Sequence, residues 1–211
     1  ENSVTPQFIT LEGGEGTGKT TQAKRLAAAL EKRGIETVVT REPGGSPGAE
    51  QIRRLLVEGE PGRWDPLTET LLLFAARADH IARTIKPALA SGKWVISDRF
   101  TDSTYAYQGA GRGMDRETIR RIETISVADF RPNLTLILDL PAAIGLERAN
   151  ARRSGENRFE GFDAQFHEKL RQAFMDIARR NGDRCFLLDA SGSEDDVAEL
   201  IWQTVAKRFT L

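Results

Sequence analysis

The sequence predicts an α/β fold, a five-stranded parallel sheet with helices on both faces. Two observations carry this prediction. Short apolar runs alternate along the chain with segments whose apolar residues recur at helical spacing. The first of those runs leads into a glycine-rich phosphate-binding motif that opens the first helix. No internal repeat and no linker-like stretch divides residues 1–211, so one domain is expected.

The elements can be justified in order. Phe8–Glu12, bounded by Pro6 and a glycine cluster, reads as a buried strand. Lys19–Arg33 carries Ala23, Leu26, Ala27 and Leu30 at helical spacing and stops at Gly34. Ile35–Thr40 is the second strand, and residues 41–48 form a turn-rich, rigid loop. Helical patterns cover about 49–58 and 67–90, with a kink or break expected at Pro87, which lacks a backbone donor. Trp94–Ser97 is the third strand and runs into Asp98-Arg99. A helix at about 115–127, a strand at Leu134–Leu140 and a helix at about 142–150 follow. Ala151–Gly161 is polar and arginine-rich, broken by Gly155 and Asn157, and reads as a mobile loop. A long helix at about 163–181, a fifth strand at Arg184–Asp189 and a last helix at Glu194–Arg208 complete the chain.

Composition narrows the function classes. Thirty basic residues stand against thirty-one acidic ones, whereas a dedicated duplex-DNA binder carries a basic excess, so no nucleic-acid partner is expected. No apolar stretch approaches a membrane span, and residues 1–7 lack the basic flank and apolar run of a secretory signal. One cysteine, Cys185, excludes an intramolecular disulfide or a multi-cysteine zinc site. A cytoplasmic location and no membrane partner are the expectation. His80 and His167 show no metal-ligand spacing and are expected in ordinary surface or helix-face roles.

Gly13-Gly14-Glu15-Gly16-Thr17-Gly18-Lys19-Thr20 fits G-x-x-x-x-G-K-[ST], between a strand and a helix as the motif requires. Its glycines let successive N–H groups converge on phosphate oxygens, and the helix N-terminus adds positive potential. Lys19 should reach the β- and γ-phosphates of ATP, and the Thr20 hydroxyl should ligate Mg²⁺. With Thr21 these residues are the expected ATP-binding set. The motif alone does not separate kinases from GTPases or motors, but the chain has no Asn-Lys-x-Asp guanine motif.

Three more segments sharpen the reading: Arg41-Glu42-Pro43-Gly44-Gly45, Phe74-Ala75-Ala76-Arg77, and residues 98–108, Asp-Arg-Phe-Thr-Asp-Ser-Thr-Tyr-Ala-Tyr-Gln. With the phosphate loop they resemble the bacterial thymidylate kinase family, from about Phe8 to the final helix. The resemblance implies transfer of phosphate from ATP to dTMP, the nucleoside-monophosphate-kinase fold of P-loop enzymes, a Mg²⁺ cofactor and a homodimer.

The residue chemistry agrees with what the resemblance implies. Arg99 follows a strand end, where open α/β sheets bind ligands, and by resemblance clamps both the monophosphate and the transferred group. Asp98 resembles the strand-end acid that supports Mg²⁺ through water. Arg41 opens the rigid loop and should contact the dTMP phosphate, a fixed loop reducing its entropy cost. Phe74 and Arg77, three apart, share a helix face, the ring suited to stacking on a base and the guanidinium to the thymine O4 edge. Relatives often space that pair by four, a place Leu73 fills here; a core phenylalanine and an ion-paired arginine are the plain alternatives.

By the same resemblance Thr104 and Gln108 contact the thymine edge, Tyr107 packs where a ribose 2′-OH would sit, and Glu15 points at the 3′-OH. Residues 148–161, with Arg148, Arg152, Arg153 and Arg158, resemble the family's lid. Because the phosphate loop carries no arginine, Arg152 or Arg153 is the expected transition-state cation, and the sequence does not choose between them. Ser191 and Gly192, after the fifth strand, resemble the adenine-side loop. The competing readings are another small-molecule P-loop kinase and a nucleotide-binding regulatory module without phosphoryl transfer.

Overall fold

The computed structural model describes residues 5–151 and 162–211. Five strands, β1 (Phe8–Glu12), β2 (Thr37–Arg41), β3 (Trp94–Asp98), β4 (Leu134–Asp139) and β5 (Cys185–Asp189), form one sheet in the order β2-β3-β1-β4-β5. All four strand pairs are parallel. The inner strands have to be buried on both faces, which is why they read as near-continuous apolar runs. The edge strands β2 and β5 are partly exposed.

Helices α1 (Lys19–Glu31) and α9 (Glu194–Phe209) cover one face, packing Leu26, Leu30, Val197, Ile201 and Val205 on Ile9, Leu11, Leu134 and Leu136. The other face packs against two groups of residues. Phe74, Ile85 and Ile119 surround Phe8 and Val95, and Phe166, Leu170 and Phe174 cover Ile137 and Cys185. Between these faces the buried Thr10 and Thr135 hydroxyls satisfy one another at 2.8 Å.

Helices α2 (Pro47–Val57) and α3 (Pro66–His80) each start with proline in the first turn, where its missing N–H costs nothing. Pro87 does not break the helix predicted over 67–90. A π-helical turn, Ile81–Ile85, joins α3 to α4 (Lys86–Ala90). Pro87 stands in the first turn of α4, and the widened turn ahead of it accommodates the ring.

After β3 comes a helical stretch that periodicity had not marked as an element, α5 (Thr101–Thr104) continued by a π-helical turn, Tyr105–Gly111. α6 (Arg116–Ser126) and α8 (Ala164–Arg180) are capped by Asp115 and Asp163, whose side chains accept backbone N–H groups. Residues 148–151 end α7 (Ala142–Ala151), and the expected lid residues 152–161, with Arg152, Arg153 and Arg158, lie outside the described residues. His80 and His167 are both buried on inward helix faces, α3 and α8, the second of the two roles expected of them.

The parallel register aligns the functional positions. Leu11 pairs with Asp98, and Asp98 with Arg41, so the ends of β1, β3 and β2 form a row at the C-terminal edge of the sheet. Open α/β sheets bind ligands at that edge.

Candidate active site

A cavity of about 310 Å³ opens at this edge. Its floor is the phosphate loop between β1 and α1. Gly13, Gly16 and Gly18 take positive φ values of 135°, 70° and 90°, which L side chains rarely adopt. Two of them also lack room: a Cβ at Gly13 would meet the carbonyl of Leu138, and one at Gly16 would overlap the backbone of Gly145 on α7. Inside the loop the buried Thr17 hydroxyl donates to the Gly14 carbonyl at 3.1 Å. Lys19 Nζ donates to the same carbonyl at 2.6 Å. Burial and the neighbouring Arg99 lower the Lys19 pKa to about 8. At the next residue, the Thr20 hydroxyl donates to Asp98 Oδ2 at 2.5 Å, bringing two hard oxygen ligands to the mouth of the loop. Thr21 is half-buried on α1.

Arg99 is the hub of the site. It has φ of +72°, a sparsely populated conformation for a residue with a side chain. Its guanidinium donates to the Gly13 carbonyl at 3.0 Å, to Ser103 Oγ at 3.2 Å, to Glu15 Oε1 at 2.9 Å and to the Tyr107 hydroxyl at 2.8 Å. The Tyr107 hydroxyl also donates to Glu15 Oε1. Burial alone would push Glu15 up, but the charges of Arg99 and Lys19 and the Tyr107 hydrogen bond win and hold it at about 2. Burial raises Tyr107 well above the usual phenol value. Arg41, half-exposed at the end of β2, ion-pairs with Glu50 at 3.2 Å and reaches the same cavity.

The far wall is formed by α3 and the stretch from Thr101 to Gly111. Arg77 is almost wholly buried and donates from Nε to Glu42 Oε2 at 2.6 Å, from Nη1 to Thr104 Oγ1 at 3.1 Å and from Nη2 to the Phe100 carbonyl at 3.2 Å. It is therefore both an ion-paired arginine and a lining residue. Phe74 is placed differently from the stacking role expected of it. It is packed in the core with Phe8, Ile85 and Phe100, beneath the Arg77 guanidinium at 4.8 Å, and the apolar residue that α3 presents to the cavity is Leu73. The helix turns by about 100° per residue, so only one of two neighbouring positions can face the cavity. Gln108 lines the same wall. Its Nε2 donates to Glu69 at 2.8 Å, while its buried Oε1 has no partner.

Five residues here were not singled out from the sequence. Glu12 is a fully buried acid at the end of β1, and a lone carboxylate closing an apolar strand was the available signal. Glu42, in the Arg-Glu-Pro-Gly-Gly segment and followed by a cis peptide to Pro43, accepts from Arg77 at Oε2, and His80 Nδ1 stands 2.9 Å from its Oε1. Arg53 donates to the Pro43 carbonyl at 2.7 Å and, with Val57, extends the wall onto α2. Ser191 and Gly192 stand past β5, outside the lining of this cavity, where Ser191 N donates to Asp189 Oδ1 at 2.9 Å. The Arg152/Arg153 pair lies outside the described residues.

A phosphate loop facing a wall of buried arginine and amide groups is the arrangement of a nucleotide kinase, and comparison with known proteins narrows it. The thymidylate kinase family profile matches residues 11–201. The chain belongs to the thymidylate kinase family. It is 53% identical over 204 residues to the thymidylate kinase of Caulobacter vibrioides, covering 97% of this chain and 98% of that one. Identity to the thymidylate kinase of a Jannaschia species is also 53% over 204 residues, with the same coverage. The crystal structure of the thymidylate kinase from Ehrlichia chaffeensis superposes with a TM-score of 0.76 at 35% identity, over 95% of this chain and 98% of that one. Among the described residues of this family member, no helix is long and apolar enough to cross a membrane, and no three His, Cys, Asp or Glu residues gather as metal ligands.

Proposed function

We propose that this chain phosphorylates dTMP to dTDP with ATP as the donor, a step of dTTP biosynthesis, and that residues 1–211 act as one catalytic unit. The observation that carries the acceptor is the far wall. Gln108 Oε1 is a buried acceptor without a donor beside Arg77, a fixed cation. Buried polar atoms are nearly always paired, and thymine offers what this wall lacks, an N3–H donor beside an O4 acceptor. Leu73 supplies the apolar surface against the base, Thr104 adds a hydroxyl, and Phe74 supports Arg77 from beneath.

Next to the base, Tyr107 and Glu15 occupy the sugar side. Glu15 stays ionised and can accept from the 3′-OH, while the Tyr107 ring fills the 2′ side. Arg99, Arg41 and Arg53 surround the position of the 5′-phosphate. In-line attack forms a bond from a dTMP phosphate oxygen to the γ-phosphorus and breaks the bond to the β–γ bridging oxygen, which leaves on ADP. The nucleophile is already an anion, so no general base is required, and the chain contributes charge and position. Lys19 neutralises the β- and γ-phosphates, Gly13 to Thr21 cradle them, and Ser191 and Gly192 border the adenine. Arg152 or Arg153 supplies the transition-state cation from the lid.

Mg²⁺ fits this site because the Thr20 hydroxyl and the Asp98 carboxylate are hard oxygen ligands that converge at the mouth of the loop. Thr20 and Asp98 would hold the ion, which would supply positive charge to offset that of the ATP phosphates. A homodimer is supported by an apolar stripe on α3, where Leu67, Leu71 and Ala75 are exposed four residues apart, beside exposed Leu55 on α2. A cytoplasmic site of action agrees with nucleotide substrates and with the buried, unpaired Cys185.

The test is ADP release measured with and without dTMP. Release that depends on dTMP supports the reading, and equal release in both overturns it. In the same assay Arg152→Ala with Arg153→Ala should lower kcat by at least about a hundredfold, a cautious floor for such a cation, with dTMP affinity nearly unchanged.

A further inference from the structure

We infer that Glu12 is a positioning residue for Arg99, holding the acceptor-side arginine in its left-handed backbone conformation through the first turn of α5. The inference rests on the kinase reading above and adds a residue that touches neither substrate. Glu12 has no solvent exposure. Its Oε1 accepts from the backbone N–H of Phe100 at 2.8 Å and from that of Ser103 at 3.3 Å, and its Oε2 accepts from Ser103 Oγ at 2.5 Å. Phe100 is the residue directly after Arg99 and precedes α5, whose N-terminus has no side-chain cap of its own. A carboxylate from another strand thus takes the capping place that Ser, Thr, Asp or Asn usually fills.

Both ends of Arg99 depend on this bond set. The Arg99 backbone at φ +72° is fixed by its own N–H to the Leu11 carbonyl at 2.9 Å and by the Phe100 N–H to Glu12. The guanidinium shares Ser103 Oγ with Glu12, since Arg99 Nη1 donates to the hydroxyl and the hydroxyl donates to Glu12. A residue held in a sparsely populated region persists only when its surroundings over-determine it. Among the described residues, the other titratable or charged groups that interact with Glu12 are Asp102 on α5, Arg184 just before β5, where it pairs with Asp102 at 2.7 Å, Cys185 at the start of β5 and Lys19 on α1.

Glu12 is a costly anchor. Burial first, and then the charge of Asp102, raise its pKa to about 7 against the pull of Ser103, Arg99 and the Phe100 N–H. Because the folded pKa lies above that of the unfolded chain, the stability linked to this group is fully present below about pH 4.5 and is lost as pH rises through about 7.

The experiment uses the full chain with ATP and dTMP and compares Glu12→Gln and Ser103→Ala with the parent. In Glu12→Gln the side-chain oxygen still accepts from the Phe100 and Ser103 N–H groups, but an NH2 donor replaces the oxygen that accepts from Ser103 Oγ and competes with Arg99 for that hydroxyl. The expected result is therefore a thermal midpoint at pH 8 at or above the parent's, with kcat about tenfold lower, the loss of about one hydrogen bond. The KM for ATP should change much less than kcat, because Lys19 and the phosphate loop are untouched. The thermal midpoint of Glu12→Gln should also lose part of its fall between pH 5 and 8. Parent-like kcat in a folded Glu12→Gln overturns the inference. If Glu12→Gln does not fold, Ser103→Ala decides. It removes the hydroxyl shared with Arg99 while leaving both backbone bonds, and kcat within about twofold of the parent overturns the inference in that case, a loss smaller than that of one ordinary hydrogen bond. No dTMP-dependent turnover in the parent would instead overturn the kinase reading on which the inference rests.

Discussion

Arg77 shows how one side chain can serve the core and the site together. Its guanidinium neutralises Glu42, a buried carboxylate that also holds His80. Removing one partner of a buried ion pair leaves an uncompensated charge and costs about 3–5 kcal/mol. Arg77→Ala should therefore lower the unfolding free energy by about that amount as well as weaken dTMP binding, and urea unfolding with a separate dTMP titration measures both. A loss of dTMP affinity with unchanged stability would show that Glu42 finds another partner. Lys19 carries a pH prediction. Its pKa of about 8 in the free protein lies below the ordinary lysine value because of burial and Arg99. The folded, nucleotide-free chain binds fewer protons there than the unfolded chain, so its linked stability is lower at pH 7 and rises as pH goes from about 8 to above 10. ATP phosphates restore the lysine charge, so ATP binding at pH 8.5 should take up most of one proton and at pH 7 much less. Calorimetry in buffers of different ionisation enthalpy reads this directly, and equal uptake at the two values contradicts it.

At the scale of elements, the α7–phosphate-loop contact sets the position of the loop. Gly145 and Gly16 approach backbone to backbone, and a Cβ at Gly145 would overlap the Glu15 carbonyl. Gly145→Ala must push the loop or the helix aside. Overpacking of this kind typically costs about 1–3 kcal/mol, and the variant should show a raised KM for ATP together with a lower unfolding midpoint. Unchanged values of both would mean that α7 shifts freely. The strands and most helices were legible in the sequence because apolar period and caps agree there: Phe8–Glu12 is uniformly buried, and Asp115 and Asp163 cap as their type suggests. The π-helical turns were not. Pro87 signals a break, whereas a π-helical turn ahead of it lets the helical course continue, and its Ile81 and Ile85 pack in the core with Phe74, Val95 and Ile119. Among site residues the phosphate loop with Thr20 could be placed from its motif and Arg99 from a strand end, Arg41 from the rigid loop it opens and Asp98 from the family resemblance, while the Thr20–Asp98 bond appears only in the fold. Phe74 against Leu73 could not, because one helical step decides which side chain faces the cavity. Glu12, Glu42 and His80 form their network across β1, β2, α3 and α5, and a single sequence contains no record of that convergence.

For the whole molecule, the parallel register joins two recognition halves. The loop after β1 lies at one side of the cavity, the ends of β2 and β3 bring Arg41 and Arg99 to it, and α3 forms its far wall; the proposed function gives the first side to the donor phosphates and the wall to the acceptor. Binding of both nucleotides should raise the thermal midpoint more than either alone, since each binds only the folded chain. The measurement that tests the central claim most directly is kcat/KM for dTMP against dCMP, UMP and AMP at fixed ATP. A wall built to pair N3–H and O4 leaves its own buried groups unsatisfied with the wrong base, a discrimination that reaches about 10⁴–10⁵ at well-built sites. The account predicts dTMP first by at least about a hundredfold over dCMP and AMP, a conservative bound on that scale. A kcat/KM for dCMP or AMP equal to or above that for dTMP would contradict it.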